Sequence, residues 1–102
     1  MIYKPTPIQV SKDLATFTLH NVLQEFYFLN DRLLQGDLTE KGVLKKAKAI
    51  LAVEEAHLKT LPYVAEVWLD AHIAYGGFLA LSYRVTWQDG DEQKGYAMPV
   101  RK

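Results

Sequence analysis

Hydrophobic positions in the first third of the chain repeat at intervals of three and four residues. The repeat consists of Leu19, Val22, Phe26, Leu29 and Leu33. This spacing places the side chains on one face of an α-helix. Ser11 is a candidate N-cap and Gly36 a candidate C-terminal cap, so the pattern predicts a first helix over residues 11–36.

The ten residues before this helix contain two prolines, Pro5 and Pro7. A proline removes a backbone donor and biases the residue before it toward extended geometry. We therefore expect residues 1–10 to form an extended N-terminal arm.

A second amphipathic segment follows Gly36. Thr39 is a candidate N-cap with Glu40 in the first turn, and Pro62 is incompatible with further helix. Between them the apolar positions are Val43, Leu44, Ala47, Ile50, Leu51, Leu58 and Leu61. We predict a second helix over residues 39–61, antiparallel to the first because the connection is short.

After Pro62 the hydrophobic period changes from helical to alternating. Seven consecutive odd positions, from Tyr63 to Tyr75, are apolar, as are the odd positions from Leu79 to Trp87. Helical spacing also fits five residues here, namely Val64, Val67, Trp68, Ala71 and Tyr75. The longer alternation favours strands with one buried face.

The turns determine which residues pair between these strands. A three-residue loop, Tyr75-Gly76-Gly77, would pair Ile73 with Leu79 and so keep apolar side chains opposite each other. For a third strand, the pairs that match apolar with apolar are Trp87 with Tyr96, Val85 with Met98 and Tyr83 with Val100. That register makes residues 88–95 a polar loop.

Together these patterns predict a single α+β domain over residues 1–102. Its parts are the extended arm, an antiparallel helical hairpin, and a three-stranded antiparallel β-meander over residues 63–101. The odd face of the sheet is expected to pack on the helices. The even face is expected to be open to solvent or a partner, and it carries Trp68, Asp70, His72 and Arg84.

Composition narrows the function classes. Twelve basic and twelve acidic residues give zero net charge, which disfavours a dedicated nucleic-acid binder. The chain has no cysteine, so disulfides and thiolate metal sites are excluded. The sequence has neither a signal-peptide pattern nor an apolar run long enough for a membrane span. We expect a cytoplasmic protein of bacterial or phage origin without a metal or cofactor.

The first helix carries apolar residues outside its core face. Phe17 and Phe28 fall together on another side, with Leu14 near them and Asn21 and Gln24 between the rings. Aromatic residues off the core face indicate a second buried surface. Either the N-terminal arm or the second helix covers it, or it is an interface with a partner.

Three polar groupings are weaker candidates. Glu54 and His57 have the spacing found in carboxylate-bridged metal sites, but the chain has only one copy, so we expect no metal there. Because an unpaired carboxylate is costly to bury, we expect Glu54 at the rim of the core or paired with Arg84, a tyrosine or a histidine nearby. Asp70 and His72 share the wetter face of a strand. Lys41, Lys45, Lys46 and Lys48 form a basic segment of the second helix.

No catalytic constellation stands out, so we assign no catalytic residue. The sequence favours a small non-enzymatic protein-interaction module, a regulator or adaptor, whose partner is another protein or a second copy in a homodimer. One alternative is a nucleic-acid-associated regulator that uses the Lys41–Lys48 helix face. A second alternative is a ligand-binding protein or enzyme centred on Glu54 and a histidine.

Overall fold

The computed structural model describes residues 4–100. Within them the chain forms α1 (Pro7–Leu34), α2 (Glu40–Lys59), β1 (Val64–Ile73), β2 (Leu79–Trp87) and β3 (Glu92–Ala97). The strands make one antiparallel sheet in the order β1-β2-β3, and both helices pack on one of its faces. The expected α+β arrangement is confirmed.

The first helix begins earlier than the sequence pattern indicated. Thr6 is the N-cap, and its side chain accepts a hydrogen bond from the backbone N–H of Gln9. Pro7 occupies the first helical position, where its missing donor costs nothing and its φ angle already suits a helix. The predicted cap Ser11 is instead a buried residue inside the helix. The prediction of an arm over residues 1–10 is therefore wrong for Pro7–Val10, and residues 1–3 lie outside the described range.

The other helix ends agree with the sequence. Gly36 has a φ angle of 82°, and its N–H bonds the Leu33 carbonyl while the N–H of Asp37 bonds that of Arg32. These two bonds are a Schellman motif, which favours glycine. Thr39 caps α2 by accepting from the backbone N–H of Gly42 at 3.0 Å.

The core lies between the helices and the sheet in two adjoining clusters. One contains Val22, Phe26, Leu29, Val43, Ala47, Leu51, Ala71, Leu79 and Leu81. The other contains Ala15, Leu19, Leu58, Val67, Val85 and Trp87. Every strand residue in these sets has an odd number, so the predicted covered face is confirmed for β1 and β2.

The first hairpin has the expected register. Ile73 pairs with Leu79, and Leu69 pairs with Tyr83. One irregularity lies at the start of β1, where Val64 is opposite Trp87 but Glu66 is opposite Thr86. The intervening Ala65 is an extra, bulged residue. As a result Tyr63 and Ala65 are exposed rather than on the covered face.

The register of the third strand was predicted wrongly. Val85 pairs with Gln93 and Tyr83 pairs with Gly95, not with Met98 and Val100. The connection is a tight loop of three residues, closed by hydrogen bonds from Trp87 N–H to the Asp91 carbonyl and from Gly90 N–H to the Trp87 carbonyl. The first hairpin has the same two bonds around residues 75–77. Both loops end in a glycine with a φ angle of 87°.

The observed register places small and polar residues of β3 on the covered face. Gly95 leaves room for the Tyr83 ring, because a Cβ at position 95 would lie 2.6 Å from the Tyr83 hydroxyl. Gln93 accepts a hydrogen bond from Trp87 Nε1 at 3.1 Å and donates to Thr16 Oγ1 at 3.0 Å. These side chains fill the space that Tyr96 and Met98 were expected to occupy.

Besides the bond from Gln93 to Thr16, polar contacts of Asn30 and Lys12 connect α1 to the sheet. Asn30 is buried, donates to the carbonyls of Leu79 and Pro99, and accepts from the Leu79 N–H at 2.8 Å. Near the other end of the helix, Lys12 Nζ lies 2.8 Å from a carboxylate oxygen of Asp89 and 3.0 Å from one of Asp91. Asn30 therefore holds α1 at the start of β2, while Lys12 holds it at the β2–β3 loop.

Candidate interaction site

The side of α1 that faces away from the sheet carries a continuous row of side chains, which we call the outer stripe. Its members are Val10, Leu14, Phe17, Asn21, Gln24 and Phe28. They follow one another at intervals of four, three, four, three and four residues, so they share one helical face. The four apolar members are between 43% and 66% exposed, and both amides are exposed as well.

No described element covers the outer stripe. Residues 4–6 lead into the N-cap of α1, so they do not fold back over Phe17, which is 66% exposed. The second helix packs against the opposite side of α1 through residues such as Val22 and Phe26. The sequence left two possibilities open: this surface is covered by the arm or α2, or it is an interface with a partner. Within residues 4–100, neither the arm nor α2 covers it.

Sequence reasoning identified five of the six members and missed Val10. Val10 was assigned to an extended arm because the helix was expected to begin at Ser11. The interval from Val10 to Leu14 continues the alternation of four and three, so the signal was available in the sequence. With Val10, the row spans five turns of helix.

The groove between the two helices adjoins the outer stripe. It is lined by Glu25, Ala49, Ile50, Val53 and Glu54, and its cavity measures about 420 Å³. Val53 is 65% exposed and is an apolar side chain on the α2 side of this groove. Glu54 is half-buried here, at the rim of the core as expected.

The candidate polar site around Glu54 is not assembled. Glu54 lines the groove between the helices, and His57 is exposed further along α2. His72 lies beyond the sheet, on the face that the helices leave open. No cluster of three or more acidic or histidine side chains suited to a metal ion occurs among residues 4–100.

Asp70 and His72 do meet. The Asp70 carboxylate lies 3.1 Å from His72 Nδ1, and the imidazole lies 5.7 Å from the Tyr96 ring, measured between centroids. Both side chains of the pair are more than a third exposed on the open face of the sheet. The carboxylate can orient the ring, and the pair forms part of a polar, solvated surface.

The four lysines lie on the solvent side of α2, where all are exposed. Lys41, Lys45 and Lys48 share a face, whereas Lys46 lies about 100° around the helix from Lys45. The basic segment is therefore split between two directions. Neither helix in the described part of the chain is apolar over a length that would cross a membrane.

Comparison with known proteins provides no family for this chain. No family model matches it, and no curated protein or solved structure is significantly similar to it.

Proposed function

We propose that this protein is a small non-enzymatic interaction module, a regulator or adaptor, that forms a homodimer through the outer stripe of α1. The observation that carries the proposal is the second apolar stripe. One row of α1 packs into the core and another with the same spacing is exposed. A helix with apolar rows on two sides is typically covered on both sides, and the described chain covers only the inner row.

The spacing of the outer stripe is that of a helix pairing with another helix. In heptad terms, Leu14, Asn21 and Phe28 take the a positions, and Val10, Phe17 and Gln24 take the d positions. An asparagine at an a position lowers stability but selects register and the number of strands. Asn21 thus favours a defined helix pair over nonspecific association.

The last four members of the outer stripe are also complementary to the same four residues of a second copy. An antiparallel pairing centred between Val22 and Leu23 would place Phe17 of each copy against Phe28 of the other. The same pairing would place Asn21 against Gln24, so that rings meet rings and amides can exchange hydrogen bonds. Zero net charge adds little repulsion between copies. A second copy of this chain therefore fits the surface.

Light scattering coupled to size exclusion, on untagged protein over a dilution series, tests the proposal. The wild type should have twice the mass of one chain and dissociate on dilution. Phe28→Ser should have the mass of one chain and an unchanged circular dichroism spectrum, because the ring lies outside the core. Tyr75→Ser is the matched control, since it removes an exposed aromatic side chain from a hairpin loop outside the outer stripe.

A wild type with the mass of one chain at every concentration would exclude the homodimer. A dimer that survives both Phe28→Ser and Phe17→Ser would assign the contact to another surface. The alternative nucleic-acid function of Lys41, Lys45, Lys46 and Lys48 makes a separate prediction, salt-dependent binding to DNA or RNA. A mobility shift at low salt that disappears in Lys45→Gln would support that alternative.

A further inference from the structure

The open face of the sheet has a cleft with aromatic and cationic walls, which we call the sheet cleft. It is a shallow site of about 480 Å³, open to solvent and lined by Trp68, Arg84, Lys94 and Tyr96 and by the intervening positions 83 and 95 of the strands. Its volume lies within the range of small-molecule sites. The helices cover the other face of the sheet, so the sheet cleft and the outer stripe are on opposite sides of the molecule.

Strand pairing brings three of the lining side chains into one row. Trp68 on β1 is opposite Arg84 on β2, and Arg84 is opposite Lys94 on β3. Directly opposed side chains have their Cβ atoms about 5 Å apart, so both cations can reach one small anionic group. Tyr96 follows two residues after Lys94 on the same face of β3, which places a second ring beside the row.

Both rings are accessible to a ligand. Trp68 is 46% exposed and Tyr96 is 60% exposed. Aromatic side chains on an open sheet offer their faces to planar groups, and every nucleobase has a face that can stack on them. The contact between Tyr96 and His72 supports the tyrosine ring from the side away from Lys94.

The positive charge is confined to this one row. The next row toward the β2–β3 loop contains Glu66, Thr86 and Glu92, and the row on the other side begins with Asp70. Glu92 also lies 3.7 Å from Lys94 Nζ. A chain of several phosphates laid across the face would meet the carboxylates of both neighbouring rows, whereas a single phosphate can lie between Arg84 and Lys94 and displace Glu92 from Lys94.

We propose that the sheet cleft binds a mononucleotide. The base stacks on Trp68 and Tyr96, and the phosphate is bound by Arg84 and Lys94. A phosphate monoester carries a charge of about −1.5 to −2 near pH 7, which two cations match better than they match a carboxylate. The guanidinium of Arg84 suits bidentate phosphate binding, and lysine is a common phosphate ligand.

Isothermal titration of the full-length protein tests this assignment with AMP, adenosine and inorganic phosphate as the three probes. AMP should bind at least about tenfold more tightly than adenosine or phosphate alone, because a hydrogen bond to a charged group contributes about 1.5–3 kcal/mol. Trp68 fluorescence should change on binding, whereas Trp87 is buried and should respond little.

Variants separate the two halves of the site. Arg84→Gln and Lys94→Gln should each weaken AMP binding about tenfold and leave adenosine binding unchanged, because each removes one ionic hydrogen bond to the phosphate. Trp68→Leu should weaken both AMP and adenosine. Lys59→Gln is the matched control, since it removes an exposed lysine of α2 that, like Lys94, lies near a glutamate, and it should leave AMP binding unchanged.

Several results would overturn the proposal. One is the absence of heat at about 10 mM AMP, where even a millimolar Kd gives near-saturation. Equal affinity for AMP and adenosine, or an equal loss in Lys59→Gln and Arg84→Gln, would remove the role of the phosphate pair. A single-stranded oligonucleotide that binds far more tightly than AMP would replace the mononucleotide with a nucleic-acid strand. The dimerisation test of Phe28→Ser is independent of all these outcomes.

Discussion

The two stripes of α1 have the same spacing and very different environments. The inner stripe consists of Ala15, Leu19, Val22, Phe26, Leu29 and Leu33, each five residues after its counterpart in the outer stripe. Phe26 is fully buried, whereas Phe28, two residues later, is 52% exposed. One helix therefore presents one apolar row to its own core and a second to the outside.

The difference shows that helical spacing predicts a face but not what covers it. The inner stripe is covered because α2 and the odd face of the sheet meet there. The outer stripe also differs in composition, with Asn21 and Gln24 at its centre, where the inner stripe has only apolar side chains. Such a mixture suits a surface that must tolerate water in the free protein and a partner in the bound one.

The largest effect is expected in the inner stripe. Phe26→Ala should lower the free energy of unfolding by about 3–5 kcal/mol, because it removes a ring from a packed core and leaves a cavity. Urea denaturation followed by circular dichroism measures this loss. A loss below about 1 kcal/mol, the range of surface substitutions, would show that a ring in the inner stripe contributes no more to stability than an exposed one.

The next largest loss of stability is expected at Asn30, the buried residue that bonds α1 to the start of β2. Asn30→Ala leaves the Leu79 N–H and two carbonyls without their amide partner, which should cost about 2–3 kcal/mol because an unpaired buried group costs about 1–3 kcal/mol. Asn21→Ala is the matched control, an exposed asparagine on the same helix. Equal stability of the two variants in urea denaturation would contradict the anchoring role of Asn30.

In the outer stripe, substitution should separate assembly from stability. Phe28→Ala should change the free energy of unfolding by about 0.5 kcal/mol or less when measured at dilutions where the protein is monomeric, since exposed positions tolerate truncation. The same variant should lose the dimer in light scattering. A large loss of monomer stability would mean that the Phe28 ring is part of the core after all.

The smallest effect on stability is expected from Lys12. Its ion pairs with Asp89 and Asp91 can be tested by measuring stability as a function of pH. Hydrogen bonding to Asp89, and then to Asp91, raises the pKa of Lys12 above its usual 10.5. The same bond from Lys12, with a lesser one from the Asp91 N–H, lowers the pKa of Asp89 below its usual 3.8. Opposite shifts in the two partners are what an ion pair produces.

The directions of these two pKa shifts determine the pH ranges in which the stability changes. The Asp89 contribution is present above pH 3.8 and is lost as the pH falls through the lower pKa of the folded state. The Lys12 contribution is present below pH 10.5 and is lost as the pH rises through the raised pKa. Lys12→Met should reduce both losses slightly in thermal melts, and Lys48→Met, on an exposed lysine, should not. Identical pH profiles for wild type and Lys12→Met would contradict the coupling.

Much of the fold was predictable because its signals are local. Gly36 and Thr39 end and begin helices through bonds to residues at most four positions away, so their roles are visible in the sequence. The first hairpin was predictable because its loop and its apolar alternation agree on one register. The start of α1 was missed although Thr6 and Pro7 are also a local signal, since prolines were taken as evidence against a helix rather than for its first turn.

The third strand was not predicted because matching apolar residues across strands was the wrong criterion. Gln88-Asp89-Gly90 has the same length and terminal glycine as the first loop, and this local signal indicates the observed register. It was outweighed by the apolar partners Tyr96 and Met98. What makes the observed register stable is the fit of Tyr83 over Gly95 and the hydrogen bonds of Gln93 to Trp87 and α1, none of which has a sequence pattern.

The two candidate surfaces also differ in how far the sequence alone predicts them. The outer stripe was largely predictable because helical spacing alone places its members together. Only half of the sheet cleft could be predicted from the sequence, namely Trp68 and Arg84 on the even face of the first hairpin. Lys94 and Tyr96 join that face only through the register of β3.

The sequence by itself determined the order of the elements, the caps of the helix connection, the covered face of the first hairpin and the two stripes of α1. These follow from spacing along a helix or strand and from glycine at left-handed positions, which act over a few residues. Only the tertiary structure decided that α2 and the sheet cover the inner stripe and leave the outer one exposed. It also decided that β3 turns Gln93 and Gly95 inward, because those positions are selected by packing against residues distant in the chain.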